Sequence, residues 1–140
     1  MATLTMPRAH GANVMAGVGD GQSLKAASCT YTLAAALAGS DVLVGPTIQK
    51  GATILDVILH TTDLDTGTPA ILLDVGIPGD ADKFIDGSNV GQAGGTARGV
   101  FAPYTMEADQ PVQVTVATGP DAGATTGTVS ITVIFLPVAS

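Results

Sequence analysis

Residues 127–136, Gly-Thr-Val-Ser-Ile-Thr-Val-Ile-Phe-Leu, carry the reading on which the fold class turns. Val129, Ile131, Val133 and Phe135 fall on one side of a period-two chain. Side chains alternate between the two faces of a strand, so this spacing predicts a strand with those four facing inward. Val112, Val114 and Val116 repeat the pattern against Gln113 and Thr115. Working outward, short apolar runs at Ser28–Leu37, Asp41–Val44, Thr53–Thr61, Ala70–Val75, Lys83–Ile85 and Ala97–Tyr104 are separated by Gly, Pro, Asn and Asp. Gly39 stops Ala34-Ala35-Ala36 before it makes a helix, and Gly45-Pro46 is expected to end the strand from Asp41. About eight strands with turn signals between them predict an all-β, antiparallel sandwich of jelly-roll type. No stretch has the 3.6-residue period of a βαβ crossover helix. Residues 1–21, with Gly11, Gly17, Gly19 and Gly21 scattered without clear period, read as an extended N-terminal arm. Residues 22–140 read as one sandwich domain.

Composition narrows the function. The 140 residues hold 5 Lys+Arg and 12 Asp+Glu, a formal charge of −7, which argues against binding nucleic acid through phosphates. The apolar runs fall short of the ~20 residues that span a bilayer, and the first residues lack the apolar core of a secretory signal. Charged residues make up only 12% while mean hydropathy is +0.42. An ordinary domain carries about a quarter charged residues. The deficit predicts that part of the surface is covered by other chains. Eleven of the twelve acids are Asp, a residue of turns.

The strands carry a matching signal. Leu55, Val57 and Leu59 are expected to face the core, which leaves Ile54 and Ile58 outside beside Asp56 and His60. Ile71, Leu73 and Val75 face in and Leu72 out, and Ile134 and Leu136 lie opposite the inward set of the last strand. Ile54, Ile58, Leu72, Ile134 and Leu136 are therefore the expected subunit interface.

No catalytic constellation stands out. His10 and His60 lie in no ligand spacing, and no Gly-x-Ser-x-Gly elbow accompanies them. Cys29, the one cysteine, excludes an internal disulfide and reads as a buried, inert thiol on the face of Tyr31 and Leu33. Asp63-Leu64-Asp65-Thr66-Gly67 and the run Asp80, Asp82, Asp86 look like fragments of calcium loops. Counted from Asp80, Ile85 stands where Gly is needed and Gly91 where a bidentate Glu is needed. Counted from Asp63, the Gly comes one place early. Turn formation explains these Asp residues better, so no metal and no cofactor are expected. Gly91-Gln92-Ala93-Gly94-Gly95 lacks the Lys and Ser/Thr of a phosphate loop.

The stretch PTIQKGATILDVILHTTDLDTGTPAILLDVGIPGDADKFIDG, residues 46–87, with VTVATGPDAGATTGTVSITVIF, residues 114–135, resembles small virion proteins of tailed phages. The resemblance covers about residues 25–138. It implies a non-enzymatic β-sandwich that decorates or cements the capsid exterior, commonly as a trimer on the major capsid protein, made in the host cytoplasm. A related tail or head-fibre module that binds a receptor or glycan is the alternative. Scarce aromatics (no Trp, two Tyr, three Phe) weaken that alternative. The arm matches nothing in the family; Met6, Pro7, Arg8, Val14 and Met15 are expected to contact the capsid or a neighbouring subunit.

Overall fold

A computed structural model describes residues 23–138. The arm and its five expected contact residues lie outside the described residues. Among the described residues nine strands form: β1 (Lys25–Thr32), β2 (Val42–Ile48), β3 (Thr53–Thr61), β4 (Leu72–Ile77), β5 (Asp80–Ser88), β6 (Gly95–Arg98), β7 (Tyr104–Thr105), β8 (Gln110–Thr118) and β9 (Thr128–Leu136). One 3-10 turn, Val90–Gln92, is the sole helical element among the described residues. The first sheet runs β1-β9-β3-β6 with β7 also on β3, and the second runs β2-β8-β4-β5; every pairing is antiparallel. The expected antiparallel sandwich is what forms.

The core lies between the sheets. Val129, Ile131 and Val133 of β9 meet Val112, Val114 and Val116 of β8 across it, all buried, with Phe135 packed at the margin. Both sequences alternate because each strand is central in its sheet, with one face inward. Leu33 and Leu37 are buried in the connection from β1 to β2, and Leu33 donates its backbone N–H to the Gly127 carbonyl at 2.9 Å.

Four expectations need correction. In β3, Ile54 pairs with Phe135 and Asp56 with Ile134, so Leu55 is an inserted residue opposite no partner. This β-bulge reverses the alternation. Ile54 is therefore fully buried and Leu55 only half-buried, and Ile54 is a core residue with no outer surface to offer. Second, Gly45-Pro46 does not end β2. The strand continues to Ile48 through a register break between Val44 and Thr47, and a Cβ at Gly45 would strike the Ile131 side chain and the Val112 carbonyl. Third, the turn-rich stretch from Gly76 contains the nine-residue β5, of which sequence reading saw only Lys83–Ile85. Its register breaks against β4 let both Phe84 and Ile85 turn inward. Fourth, Cys29 is exposed. It pairs with Ile131 and faces the gap between sheets, but β1 is an edge strand and the gap is open there.

Candidate functional site: faces, edges and loops of the sandwich

The outer face of the first sheet is clothed in hydroxyls. Ser28 pairs with Thr132 at 2.8 Å, Thr30 with Ser130 at 2.9 Å, and Thr53 with Thr105 at 3.0 Å. His60 Nδ1 meets the Thr96 hydroxyl at 2.8 Å, and Arg98 reaches the Asp56 carboxylate at 2.6 Å. The hydroxyl pairs lie on directly opposed positions, while Arg98, opposite Ile58, reaches Asp56 on the diagonal; both kinds of cross-strand pair stabilise a sheet face. Ile58 and Ile134 sit among them, half-buried; Ile58 lies in the row of Thr132 and Ile134 in the row of Asp56. Leu136 is half-buried opposite Thr53, and Leu72 is half-buried opposite Thr118 at the rim of the second sheet. The remaining four expected interface residues are thus spread over two sheets rather than gathered in one patch.

The exposed large apolar side chains among the described residues are others: Leu24, Tyr31, Val42, Val44, Val100 and Val138. Leu24, Tyr31, Val42 and Val44 lie on or just before β1 and β2, the edges on one side of the sandwich. Val44 is 68% exposed and Leu24 60%. Val100 is 99% exposed and stands on the opposite side, in the connection from β6 to β7. That connection is held from beneath. The Phe101 ring lies 4.9 Å from buried Phe84, Tyr104 lies 6.1 Å from it, and the Lys83 ammonium sits 4.0 Å over the Tyr104 ring. Gly99 donates to the Val57 carbonyl at 3.0 Å, and a Cβ there would come within 2.6 Å of the Phe84 carbonyl. Val100 is therefore an apolar tip on a packed base. The register breaks of β5 bring Phe84 under residues 101 and 104.

The acidic run 63–67 turns out to be a knot of backbone donors. Asp65 is buried, and its carboxylate accepts five backbone N–H bonds: Gly67 at 3.2, Ala70 at 2.9, Ile71 at 3.1, Asp121 at 3.1 and Ala122 at 3.2 Å. Asp63 accepts the Asp65 N–H and Asp121 accepts that of Thr68, both at 3.0 Å. Burial alone would raise the Asp65 carboxyl, but the N–H groups of Ala122, Asp121, Ala70 and Ile71 outweigh it and hold the pKa at about 2. Those oxygens are engaged by donors and are not arranged for a cation. Among the described residues no three His, Cys, Asp or Glu side chains gather as metal ligands, and Asp80 instead approaches Lys83 at 3.8 Å. Asp65-Thr66-Gly67, an Asx-turn sequence, is the sequence signal for this anchor.

The site is thus a set of apolar edges and a loop tip on a hydroxyl-faced β-sandwich. No protein-family model and no curated protein matches the sequence. Solved structures do. A chain in the capsid of Ralstonia phage GP4 shares 30% identity, with 84% of this chain and 86% of that one covered and a TM-score of 0.73. A chain in the capsid asymmetric unit of cyanophage Pam1 shares 28% identity over 97% of this chain and 94% of that one, with a TM-score of 0.78. A third, in the acid-stable capsid of Helicobacter pylori bacteriophage KHP30, has 15% identity, covers 83% of this chain and 92% of that one at a TM-score of 0.62, and attests the fold alone. The chain belongs to the family of phage capsid proteins that the Ralstonia phage chain represents.

Proposed function

We propose that the protein is a non-enzymatic decoration, or cement, protein that binds the outside of a phage capsid across junctions between major capsid protein subunits. The observation that carries this reading is the match over most of both chains to capsid structures of two phages. The sandwich supports it. Apolar residues are displayed on opposite sides of one small domain, which suits a body that touches several neighbours at once. A homotrimer with an arm reaching a neighbouring subunit fits the same plan. Each contact is modest, and several contacts on one oligomer convert them into firm retention. A glycan-binding fibre module would display a flat aromatic platform; here Phe84 is buried and Phe101 packs on it.

The test is to mix purified protein with shells of the same phage assembled without it and to image them by electron microscopy. The expected result is new density outside the shell over subunit junctions. Shells that stay bare at saturating protein overturn the proposal.

A further inference from the structure

Where β1 and β2 end the two sheets on the same side, the sandwich does not close. Cys29 and Tyr31 of β1 stand on one wall of an open gap of about 110 Å³, and Leu43, Val44 and Gly45 of β2 stand on the other. Gly45 carries no side chain to fill the space, and β2 breaks register just beyond it, between Val44 and Thr47. The bottom of the gap is made by Val114, Val129 and Ile131, all buried core residues. Among the described residues no charged side chain lines it. Tyr31 and Val44 on its rim are exposed. An apolar cavity of about 150 Å³ stays dry and accepts benzene, so a gap of this size suits an apolar group of about three or four carbons.

The same molecule displays a group of that size. Val100-Phe101-Ala102-Pro103 is an uncharged run in which Val100, Ala102 and Pro103 are exposed. The Val100 isopropyl group is compact and stiff at χ1. Its backbone is already fixed by the Gly99 bond to Val57 and by Phe101 on Phe84, so insertion would order little that is loose. The tip follows β6, and β6 lies three strand spacings from β1 in the first sheet, roughly 14 Å. A copy therefore cannot fill its own gap. A two-fold pair is equally unsuited, because it would need tip and gap on one face. We propose that Val100 of one copy seats in the gap beside Cys29 and Tyr31 of a second copy, a head-to-tail contact repeated from copy to copy. Both rims carry both signs of charge, Lys83 and Arg98 with Asp82 and Asp86 near the tip, Lys25 and Asp41 near the gap, so no single-signed faces oppose each other. The contact covers Tyr31, Val44 and Val100 together. It concerns copies of this chain and is tested without shells, so its failure leaves the shell-binding role standing.

Cys29 is the one cysteine, is exposed and lines the gap, so a single substitution reports the contact. Full-length Val100→Cys protein is oxidised beside a control in urea, and the products are read by non-reducing gel and by peptide mass. The expected result is disulfides linking Cys29 of one chain to position 100 of another, in products of three or more chains, because each copy both gives a tip and receives one. The double variant Val100→Cys, Cys29→Ser is expected to stay unlinked alone and to join the unaltered chain only in pairs. Links from position 100 to position 100 or from Cys29 to Cys29, or no excess over the urea control, overturn the proposal. So does a product that stays monomeric because residues 1–22 of the same chain shield Cys29. The second measurement is sedimentation velocity of Cys29→Phe, which fills the gap from its own chain. Self-association about tenfold weaker, with melting no lower than in the unaltered protein, is expected. Unchanged self-association overturns the proposal.

Discussion

Replacing Val100 by Asp separates assembly from folding, because Val100 touches almost nothing in its own chain. At 99% exposure the side chain contributes nearly none of its burial energy to the monomer. A surface change of this kind alters folding stability by no more than about 0.5 kcal/mol. If a partner covers Val100, nearly the whole side-chain value is realised there, about 1.5 kcal/mol, or roughly tenfold in Kd. The base under the residue keeps that gain from being spent on ordering a loose loop: Phe101 is stacked on Phe84, and Gly99 is bonded to Val57. Asp removes the apolar gain and sets a carboxylate against an apolar footprint, bringing the loss to about 3 kcal/mol, roughly a hundred-fold for each contact. Val100→Ala keeps part of the area and loses only about fivefold, near 1 kcal/mol. The assay is co-sedimentation with undecorated shells and sedimentation velocity of the free protein, with thermal melting as the control. A Val100→Asp protein that melts, self-associates and binds shells as the unaltered chain does would refute the assignment of this tip as a contact.

Three further outcomes are expected. Asp65→Asn removes the acceptor facing part of the five-donor knot and lowers the melting temperature at pH 7, by a drop that circular dichroism reads directly. In the unaltered chain the Asp65 pKa is depressed from 3.8 to about 2 in the fold. The depressed value makes its stabilisation complete above pH 4 and lost as pH falls towards 2; acid titration of Asp65→Asn should therefore show a shallower decline across that window, and an unchanged slope would count against the knot. Ile58→Asp and Ile134→Asp, on the hydroxyl-faced side, shift the protein towards monomer or aggregate if that face is covered, and an unaltered oligomer by analytical ultracentrifugation removes them from the interface. Melting with calcium and with EDTA should coincide, because the Asp65 oxygens already hold backbone donors; a rise of several degrees with calcium would point to a cation site in one of the acidic runs.

The parts of the fold legible in the sequence are those where a strand is regular and central. β8 and β9 have an inward row of valines and isoleucines because they have neighbours on both sides and a core on one face. The misread parts of β3 and β5 share one cause: period-two reasoning counts positions, and an inserted residue shifts the count without changing composition. Leu55 is such an insertion, so Ile54 moved from the expected exterior to the core. In β5 the register breaks hide a nine-residue strand inside polar, glycine-flanked sequence. Cys29 was misread for a different reason. Its face is the inward one, but facing inward buries a side chain only where the opposite sheet extends over it, and edge position is a property of strand order that no local spacing encodes.

The low charge content has a fuller explanation in the structure than in the composition. A charge-poor chain need not be greasy on its sheet faces if neutral hydroxyls pair across the strands, as Ser28 with Thr132, Thr30 with Ser130 and Thr53 with Thr105 do. These pairs satisfy one another and leave a face that is polar yet cheap to desolvate, since no ion is stripped of water when a neighbour settles on it. The strongly apolar positions are left to the edge at β1 and β2 and to the tip at Val100. Such a division suits the proposed role: neutral faces tolerate close approach by a neighbour, and a few apolar points would determine where it holds. If partners cover this protein as its low charge predicts, the side chains that gain most from being covered are those at the margins, Val44, Leu24 and Val100, ahead of the half-buried Ile58 and Ile134.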